Sequence, residues 1–242
     1  MREDNSITWP CVRVCLLTVT SLLIGCDAGH NESATVSAVD GARSPVPTAT
    51  PPHRTAYTVN AGNGAIASYT LLPATGELRR NGFSAAGTAP LSITLSPSGK
   101  FAYAANDLSD EVSVFAIDAK TGALMPIGAT VGTGSTPQGV AIDPTGKFAY
   151  VANFGSNDVS AYAINSTTGA LAPVGTAVAA GNNPVSVWVD PDGRSVHVAN
   201  FNSADLLEYR INPDTGALIA AGVYQSAKGS PFSPTTSTGT PR

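Results

Sequence analysis

The sequence predicts an all-β repeat fold, because three independent landmarks recur along the chain with one period. The tetrapeptide T-G-x-L recurs at intervals of 46, 47 and 47 residues, beginning at Thr75, Thr121, Thr168 and Thr215. An asparagine follows the same intervals at Asn60, Asn106, Asn153 and Asn200, and so does an aromatic residue at Tyr69, Phe115, Tyr162 and Tyr209. A period in the forties with strand-like content is typical of a β-propeller, in which each repeat is one blade.

Each repeat divides into four predicted strands. In the third repeat the predicted strands are 137–144, 148–153, 158–164 and 170–178. The first two are joined by the tight turn P-T-G-K, in which proline fixes φ and glycine accepts the left-handed conformation. The third and fourth are joined by N-S-T-T-G, where the asparagine favours an Asx-turn. Four antiparallel strands in about 47 residues make one propeller blade.

The predicted array is a partial arc of about four blades, with two open faces, rather than a closed four-bladed ring. Residues 54–60 are predicted to be a second strand with no first strand before it. Pro231 keeps the register of Pro184, but the segment after it contains Pro234 and no apolar alternation, which makes a poor closing strand.

Composition excludes some classes of function. Hydrophobic residues make up 43% of the chain, which is enough for a core, and charged residues make up 12%. A formal net charge of -4 gives no basic surface for nucleic acid. All three cysteines lie within the first 26 residues, so the repeats contain no disulfide and no thiol nucleophile.

The N-terminal residues predict an exported, lipid-anchored protein. An apolar run from Val14 to Ile24 has the length of a signal-peptide core and is too short to span a bilayer. It ends in L-I-G-C, which resembles a bacterial lipobox and implies cleavage before Cys26 and acylation of that cysteine; an ordinary secretory signal is the alternative. We therefore expect a signal peptide at 1–25, a Pro-rich flexible tether at 26–53, and a propeller domain at 54–242, held on the periplasmic side of a membrane or at the cell surface.

The repeat motifs also carry a family resemblance. The string FAYVANFGSNDVSAYAI (148–164), together with P-T-G-K and T-G-A-L, resembles the YVTN-type β-propellers, including the lactonase and 6-phosphogluconolactonase-like family. The likeness covers residues 54–242. It implies a ring of about seven blades and lactone hydrolysis, and it carries no catalytic residue over to this chain, because the shared motifs are strand and turn chemistry.

Functional residues in a repeat protein are expected where the pattern is broken. His197 replaces the tyrosine of the other repeats, and Glu208 and Arg210 replace small or apolar residues. A histidine beside a carboxylate could act as a general base for lactone opening, with the arginine holding an acid group of the substrate. The alternative is that an end blade faces solvent and its strands therefore tolerate charge.

A second candidate set lies in the loops that follow the second strands. Its members are polar, recur at one position per repeat, and are Asn106, Glu111, Asn153, Asp158, Asn200 and Asp205. They could bind a cation or a sugar along one rim, or they could cap their own loops by hydrogen bonds to the backbone. No metal-ligand spacing, phosphate loop or nucleophile elbow is present, so no metal and no cofactor are expected.

Three functions remain open from the sequence. The first is a tethered binding or interaction scaffold for a protein or carbohydrate ligand, and the second is a lactonase acting on a sugar or related lactone in the cell envelope. The third is a truncated, non-functional propeller fragment, whose open end blades would favour self-association. Export argues against 6-phosphogluconolactone as substrate, because that compound is a cytoplasmic metabolite. Its dianionic phosphate would also require an Arg/Lys cluster, which the sequence lacks.

Overall fold

The computed structural model of the protein describes residues 24–25 and 54–225. This part of the chain consists of strands and turns, arranged as four antiparallel sheets, which we call blades 1 to 4 in chain order. The all-β propeller architecture expected from the sequence is therefore confirmed. Cys26, the tether at 26–53, the tail after 225 and all but two residues of the predicted signal peptide lie outside the described residues. Within the described part, no helix has the length and apolar character needed to cross a bilayer.

Each blade follows a simple up-and-down strand order. Blade 1 contains β1 (Ile24–Gly25), β2 (Arg54–Asn60), β3 (Ala65–Leu71) and β4 (Leu78–Ala85). Blade 2 contains β5 (Pro90–Leu95), β6 (Phe101–Asn106), β7 (Glu111–Ile117), β8 (Leu124–Pro126) and β9 (Val131–Gly132). Blade 3 contains β10 (Pro137–Ile142), β11 (Phe148–Asn153), β12 (Asp158–Ile164), β13 (Leu171–Pro173) and β14 (Val178–Ala179). Blade 4 contains β15 (Pro184–Val189), β16 (Ser195–Asn200), β17 (Asp205–Ile211) and β18 (Leu218–Gln225).

Two sequence-based expectations about strands are wrong. A single fourth strand was expected at 170–178, but blade 3 has two short strands, β13 and β14, which both pair with β12. Pro173 lacks a backbone N–H and Gly175 has φ of 62°, so the strand stops and turns between them. No strand was expected before Arg54, but β1 pairs with β2 through Ile24 and Ala56.

The turns form as their sequences predict. Gly146 has φ of 71° in the first turn of blade 3, where Asp143 accepts a hydrogen bond of 2.7 Å from the Phe148 N–H. In the second turn, Asn165 accepts bonds of 3.0 Å from the N–H groups of Thr167 and Thr168, which confirms the Asx-turn. These turns fix the register of the hairpins.

The core consists of three clusters, each shared by two successive blades. One packs Tyr57 and Ile66 of blade 1 against Phe115 and Leu124 of blade 2. The second joins blade 2 to blade 3, and the third joins blade 3 to blade 4. The second strands of the two inner blades, β6 and β11, are buried at every residue because both of their faces pack on a neighbour.

Candidate functional site

The asparagine that ends each second strand is an internal support of the loop. The side chains of Asn106, Asn153 and Asn200 are completely buried. The Asn153 amide donates to Asp158 at 2.6 Å and to Ser160 at 2.9 Å. The same bond joins Asn200 to Asp205 at 2.8 Å, and Asn106 donates to Ser113 at 2.8 Å. These polar residues therefore lie beneath the rim.

The same polar group also holds the loop by which the chain enters its own blade from the preceding one. Gly134 lies so close to Asn153, Ser156 and Asp158 that a Cβ added to it would collide with all three side chains. The N–H of Ser135 donates to the Ser156 hydroxyl at 3.0 Å. Equivalent bonds join Thr88 to Ser109 at 3.1 Å and Asn182 to Ser203 at 2.9 Å.

These serines were missed in the sequence analysis, although the signal was present. The spacing N-x-x-S recurs three times, at Asn106, Asn153 and Asn200. Glu111, the remaining member of the candidate set, accepts from Ser109 at 3.1 Å and also from Thr130. It lines a cavity of about 140 Å³ between blades 1 and 2, smaller than the roughly 300 Å³ at which small-molecule sites begin.

A cluster of amide side chains lies on the rim above these supports, between blades 3 and 4. The N–H of Asn183 donates to the Asn157 side chain at 2.7 Å, and the Asn183 amide donates to the Phe154 carbonyl at 3.1 Å and accepts from Asn202. Phe201 is 63% exposed beside them. We call this surface the asparagine rim, and define it by Phe154, Asn157, Asn182, Asn183, Phe201 and Asn202.

One rim carboxyl, that of Asp107, has a raised pKa. Asp107 occupies the loop position that holds Phe154 and Phe201 in the later blades. Burial raises the pKa of its carboxyl, which a hydrogen bond from Gln138 partly offsets. Nearby Asp110 raises this pKa further and accepts a bond of 2.7 Å from the Thr136 N–H.

The pattern-breaking residues of the last blade lie together on one face. His197 pairs directly across from Glu208, and Arg210 pairs with Ser195 on the same two strands. His197 Nε2 lies 3.0 Å from Asp190, and its ring stacks on Trp188 with a centroid separation of 5.2 Å. Its other ring nitrogen, Nδ1, is enclosed and has no hydrogen-bond partner.

Glu208 accepts its hydrogen bonds from residues of its own blade. It accepts from the Tyr224 hydroxyl at 2.7 Å and from Ser195 at 3.3 Å. The Tyr224 hydrogen bond is the largest of the effects that lower the pKa of the Glu208 carboxyl. Arg210 is exposed and contributes least to that shift.

The location of this cluster follows from the inner blades. There the tyrosine of the second strand donates its hydroxyl to a glycine carbonyl of the next blade: Tyr57 to Gly122 at 2.7 Å, Tyr103 to Gly169 at 2.9 Å, and Tyr150 to Gly216 at 3.0 Å. His197 occupies the same register position in blade 4. The cluster therefore lies on the face with which an inner blade packs against its successor. Across the described residues, no group of three His, Cys, Asp or Glu side chains is arranged to hold a metal ion.

Comparison with known proteins identifies the family. The model of the family described as lactonase, 7-bladed β-propeller, matches residues 48–138 and 133–230. The repeat geometry and this match together define a propeller of the lactonase type. The chain belongs to the seven-bladed lactonase family.

Solved structures with the same fold are matched over about half of their own length. A proposed 6-phosphogluconolactonase of Bacteroides uniformis is 26% identical with a TM-score of 0.63, over 72% of this chain and 52% of that one. A periplasmic gluconolactonase of Pseudomonas aeruginosa is 23% identical with a TM-score of 0.63, over 74% and 53%. The chain thus spans about half the length of these relatives. A search of curated proteins found no match.

Proposed function

We propose that this chain is a binding protein of the cell envelope that holds a neutral, hydroxyl-rich ligand, a sugar or its lactone, at the asparagine rim. The observation that carries the proposal is the concentration of amide side chains beside an exposed aromatic ring. Amides donate and accept hydrogen bonds, as sugar hydroxyls do, and Phe201 offers an apolar surface for a sugar ring.

The rim is suited to binding because its backbone is fixed from below. The buried asparagines, serines and acids described above tie each rim loop to the loop by which the chain enters the same blade. A site whose supporting residues are already hydrogen-bonded loses less conformational entropy when a ligand is bound.

The lipid anchor completes this proposal. Acylation at Cys26 would hold the rim close to a membrane, with residues 26–53 as the tether. Labelled palmitate should be incorporated by the full chain and lost in Cys26→Ser, and labelling that persists in this variant would contradict the anchor.

Binding is tested by saturation-transfer NMR with D-glucose and freshly dissolved D-glucono-1,5-lactone as probes. The full chain should bind at least one of them, and Phe201→Ala should weaken binding at least tenfold, about 1.4 kcal/mol. Phe83→Ala is the matched control, because Phe83 is 55% exposed but lies in blade 1, away from the rim. Equal losses in the two variants, or no binding of either probe, would contradict the proposal.

Lactone hydrolysis is the second candidate, favoured by the family and by the contact between His197 and Asp190. In this reaction water adds to the lactone carbonyl carbon, the ring C–O bond breaks, and a hydroxy acid is released. His197 would need to move to act as the base, because its Nδ1 is enclosed.

Acid release measured by pH-stat titration distinguishes the two candidates. A lactonase would exceed the spontaneous rate and lose this excess in His197→Ala. It would keep the excess in the control His53→Ala, which changes a histidine of the tether predicted at 26–53. A rate equal to the spontaneous one, together with binding at the rim, would leave the binding function alone.

A further inference from the structure

Two sheet faces are not covered by another described blade. The first face belongs to blade 1 and is defined by Tyr69, Leu71, Leu78 and Arg80, on the side away from blade 2. The last face belongs to blade 4 and is defined by Trp188, Ser195, His197, Glu208 and Tyr224, on the side away from blade 3. Their residues occupy the register positions that form the contacts between inner blades.

The first face exposes residues whose equivalents in the later blades are buried. Leu78 is 47% exposed, whereas its equivalents Leu124, Leu171 and Leu218 are only 6 to 9% exposed because a preceding blade covers them. Gly76 lies in the same turn and has φ of 74°, close to the 74° and 77° of Gly169 and Gly216. A Cβ at Gly76 would meet nothing within 4 Å, whereas one at Gly169 would meet the ring of Phe101. Blade 1 therefore has a contact surface that no described blade covers.

The last face carries the other side of the same contact, with two of its residues replaced. His197 stands where Tyr150 donates to Gly216, and Ser195 stands where Phe148 packs on that glycine. The His197 ring, stacked on Trp188, offers packing surface in place of that hydrogen bond. The Trp188 ring, 40% exposed, adds apolar area.

The two faces are also complementary in charge. Glu208 contributes a carboxylate to the last face, and its pKa is lowered by the Tyr224 hydrogen bond, so it is ionised at neutral pH. Arg80 contributes a guanidinium to the first face, where it lies 4.9 Å from the centroid of the Phe83 ring. Arg210 lies on the last face as well, so this charge pair adds to the contact, and the cross-linking experiment below decides between head-to-tail and same-face pairing.

We propose that the first face of one copy of this chain binds the last face of a second copy, and that the same contact is made twice. The two copies then form a head-to-tail dimer of eight blades, twice the four described sheets and within the range of known propellers. Each new contact continues an interface that the chain already makes three times within itself.

Sedimentation equilibrium of the full chain in mild detergent tests the dimer. The chain should pass from monomer to dimer as concentration rises, and Leu78→Asp should raise the dissociation constant at least tenfold. Leu108→Asp is the matched control, since Leu108 is 68% exposed on a rim loop and should leave dimerisation unchanged. A monomer at every concentration would overturn the proposal, whether the faces are then covered by the chain's own residues or left open.

The orientation is tested by thiol cross-linking in a background that carries Cys11→Ser, Cys15→Ser and Cys26→Ser. A mixture of Ser195→Cys and Gly76→Cys chains should form a covalent pair with a short bifunctional thiol reagent, and neither variant should do so alone. Gly175→Cys replaces Gly76→Cys in the control mixture, which should give no product. Cross-linking of Ser195→Cys to itself, or a ladder of larger species, would overturn the closed head-to-tail arrangement.

Discussion

A single tyrosine hydroxyl joins each of blades 1, 2 and 3 to the blade that follows it. Tyr57, Tyr103 and Tyr150 are at most 1% exposed, and each donates to a glycine carbonyl about 65 residues further along the chain. The tyrosine thus satisfies a turn carbonyl while its ring fills the space between two sheets. Removing one partner of such a hydrogen bond costs more free energy than forming the bond contributes, because the other partner stays buried without a hydrogen bond.

Tyr150→Phe should therefore lower the free energy of unfolding by about 1 to 2 kcal/mol, since the Gly216 carbonyl loses its partner and the ring packing is kept. Urea denaturation followed by circular dichroism measures the change. Tyr224→Phe is the control, because the Tyr224 hydroxyl is exposed and bonds only to Glu208. We expect less than about 0.5 kcal/mol there, and equal losses in the two variants would show that the buried bond contributes nothing.

Prediction at the scale of one residue was partly successful. The replacement of tyrosine by histidine at position 197 was visible in the repeat register, and so was its proximity to Glu208 across the hairpin. The hydroxyl's partner was not visible, because Gly216 belongs to the following repeat and a register within one blade does not show how two blades pack.

At the scale of the element, the T-G-x-L turn of blades 2, 3 and 4 is a contact surface for the blade before it. A Cβ at Gly216 would overlap the Phe148 ring, and one at Gly122 would overlap Thr55. The glycine is required for two reasons, its left-handed backbone and this close approach.

Gly216→Ala and Gly76→Ala separate those two reasons. Both glycines have a positive φ, 77° and 74°, but a Cβ at Gly76 meets nothing within 4 Å. Gly76→Ala should cost only the backbone strain, about 1 to 2 kcal/mol, and Gly216→Ala should cost about 1 to 3 kcal/mol more from overpacking. Urea midpoints measured on dilute protein compare them, and similar costs would mean that Phe148 moves aside freely.

Most elements followed from sequence period and turn chemistry. The strands of the third repeat at 148–153 and 158–164 form with the bounds expected. The fourth strand did not, because Pro126 and Pro173 end it in blades 2 and 3, whereas blades 1 and 4 have no proline there and keep strands of 8 residues. As a residue that interrupts a strand, proline was considered only for the closing strand, although its missing backbone N–H has the same effect in blades 2 and 3.

At the scale of the whole molecule, the buried tyrosines make stability depend on alkaline pH. Burial raises the pKa of Tyr57, Tyr103 and Tyr209 to about 12, and raises that of Tyr150 further. In the unfolded chain a tyrosine ionises near 10. Folding therefore favours the neutral form, and its contribution is fully present below pH 10 and is lost as the pH rises through about 12.

The free energy of unfolding should accordingly fall between pH 10 and 12, and tyrosinate absorbance should appear together with unfolding. Urea titrations at pH 8, 10, 11 and 12 measure the slope. Tyr103→Phe should make this slope shallower. The hydrogen bond to Glu208 also raises the pKa of Tyr224, but this hydroxyl is exposed to solvent, so Tyr224→Phe should have the smaller effect. An unchanged slope in Tyr103→Phe would contradict the assignment.

The candidate sites were harder to predict than the fold. Asn153 and Asp158 were recognised by their recurrence, but recurrence does not separate a ligand-binding side chain from a buried support. The asparagine rim was not recognised, because Asn183 and Asn202 come from loops of different blades and break no repeat pattern individually. Their proximity depends on how successive sheets stack.

The division of the core into three clusters, each between two sheets, has a consequence for how the protein comes apart. Each inner sheet contributes to two of these clusters, whereas each outer sheet contributes to one. In a single copy, fraying should therefore start at an outermost sheet and advance inward, while the two middle sheets remain packed together.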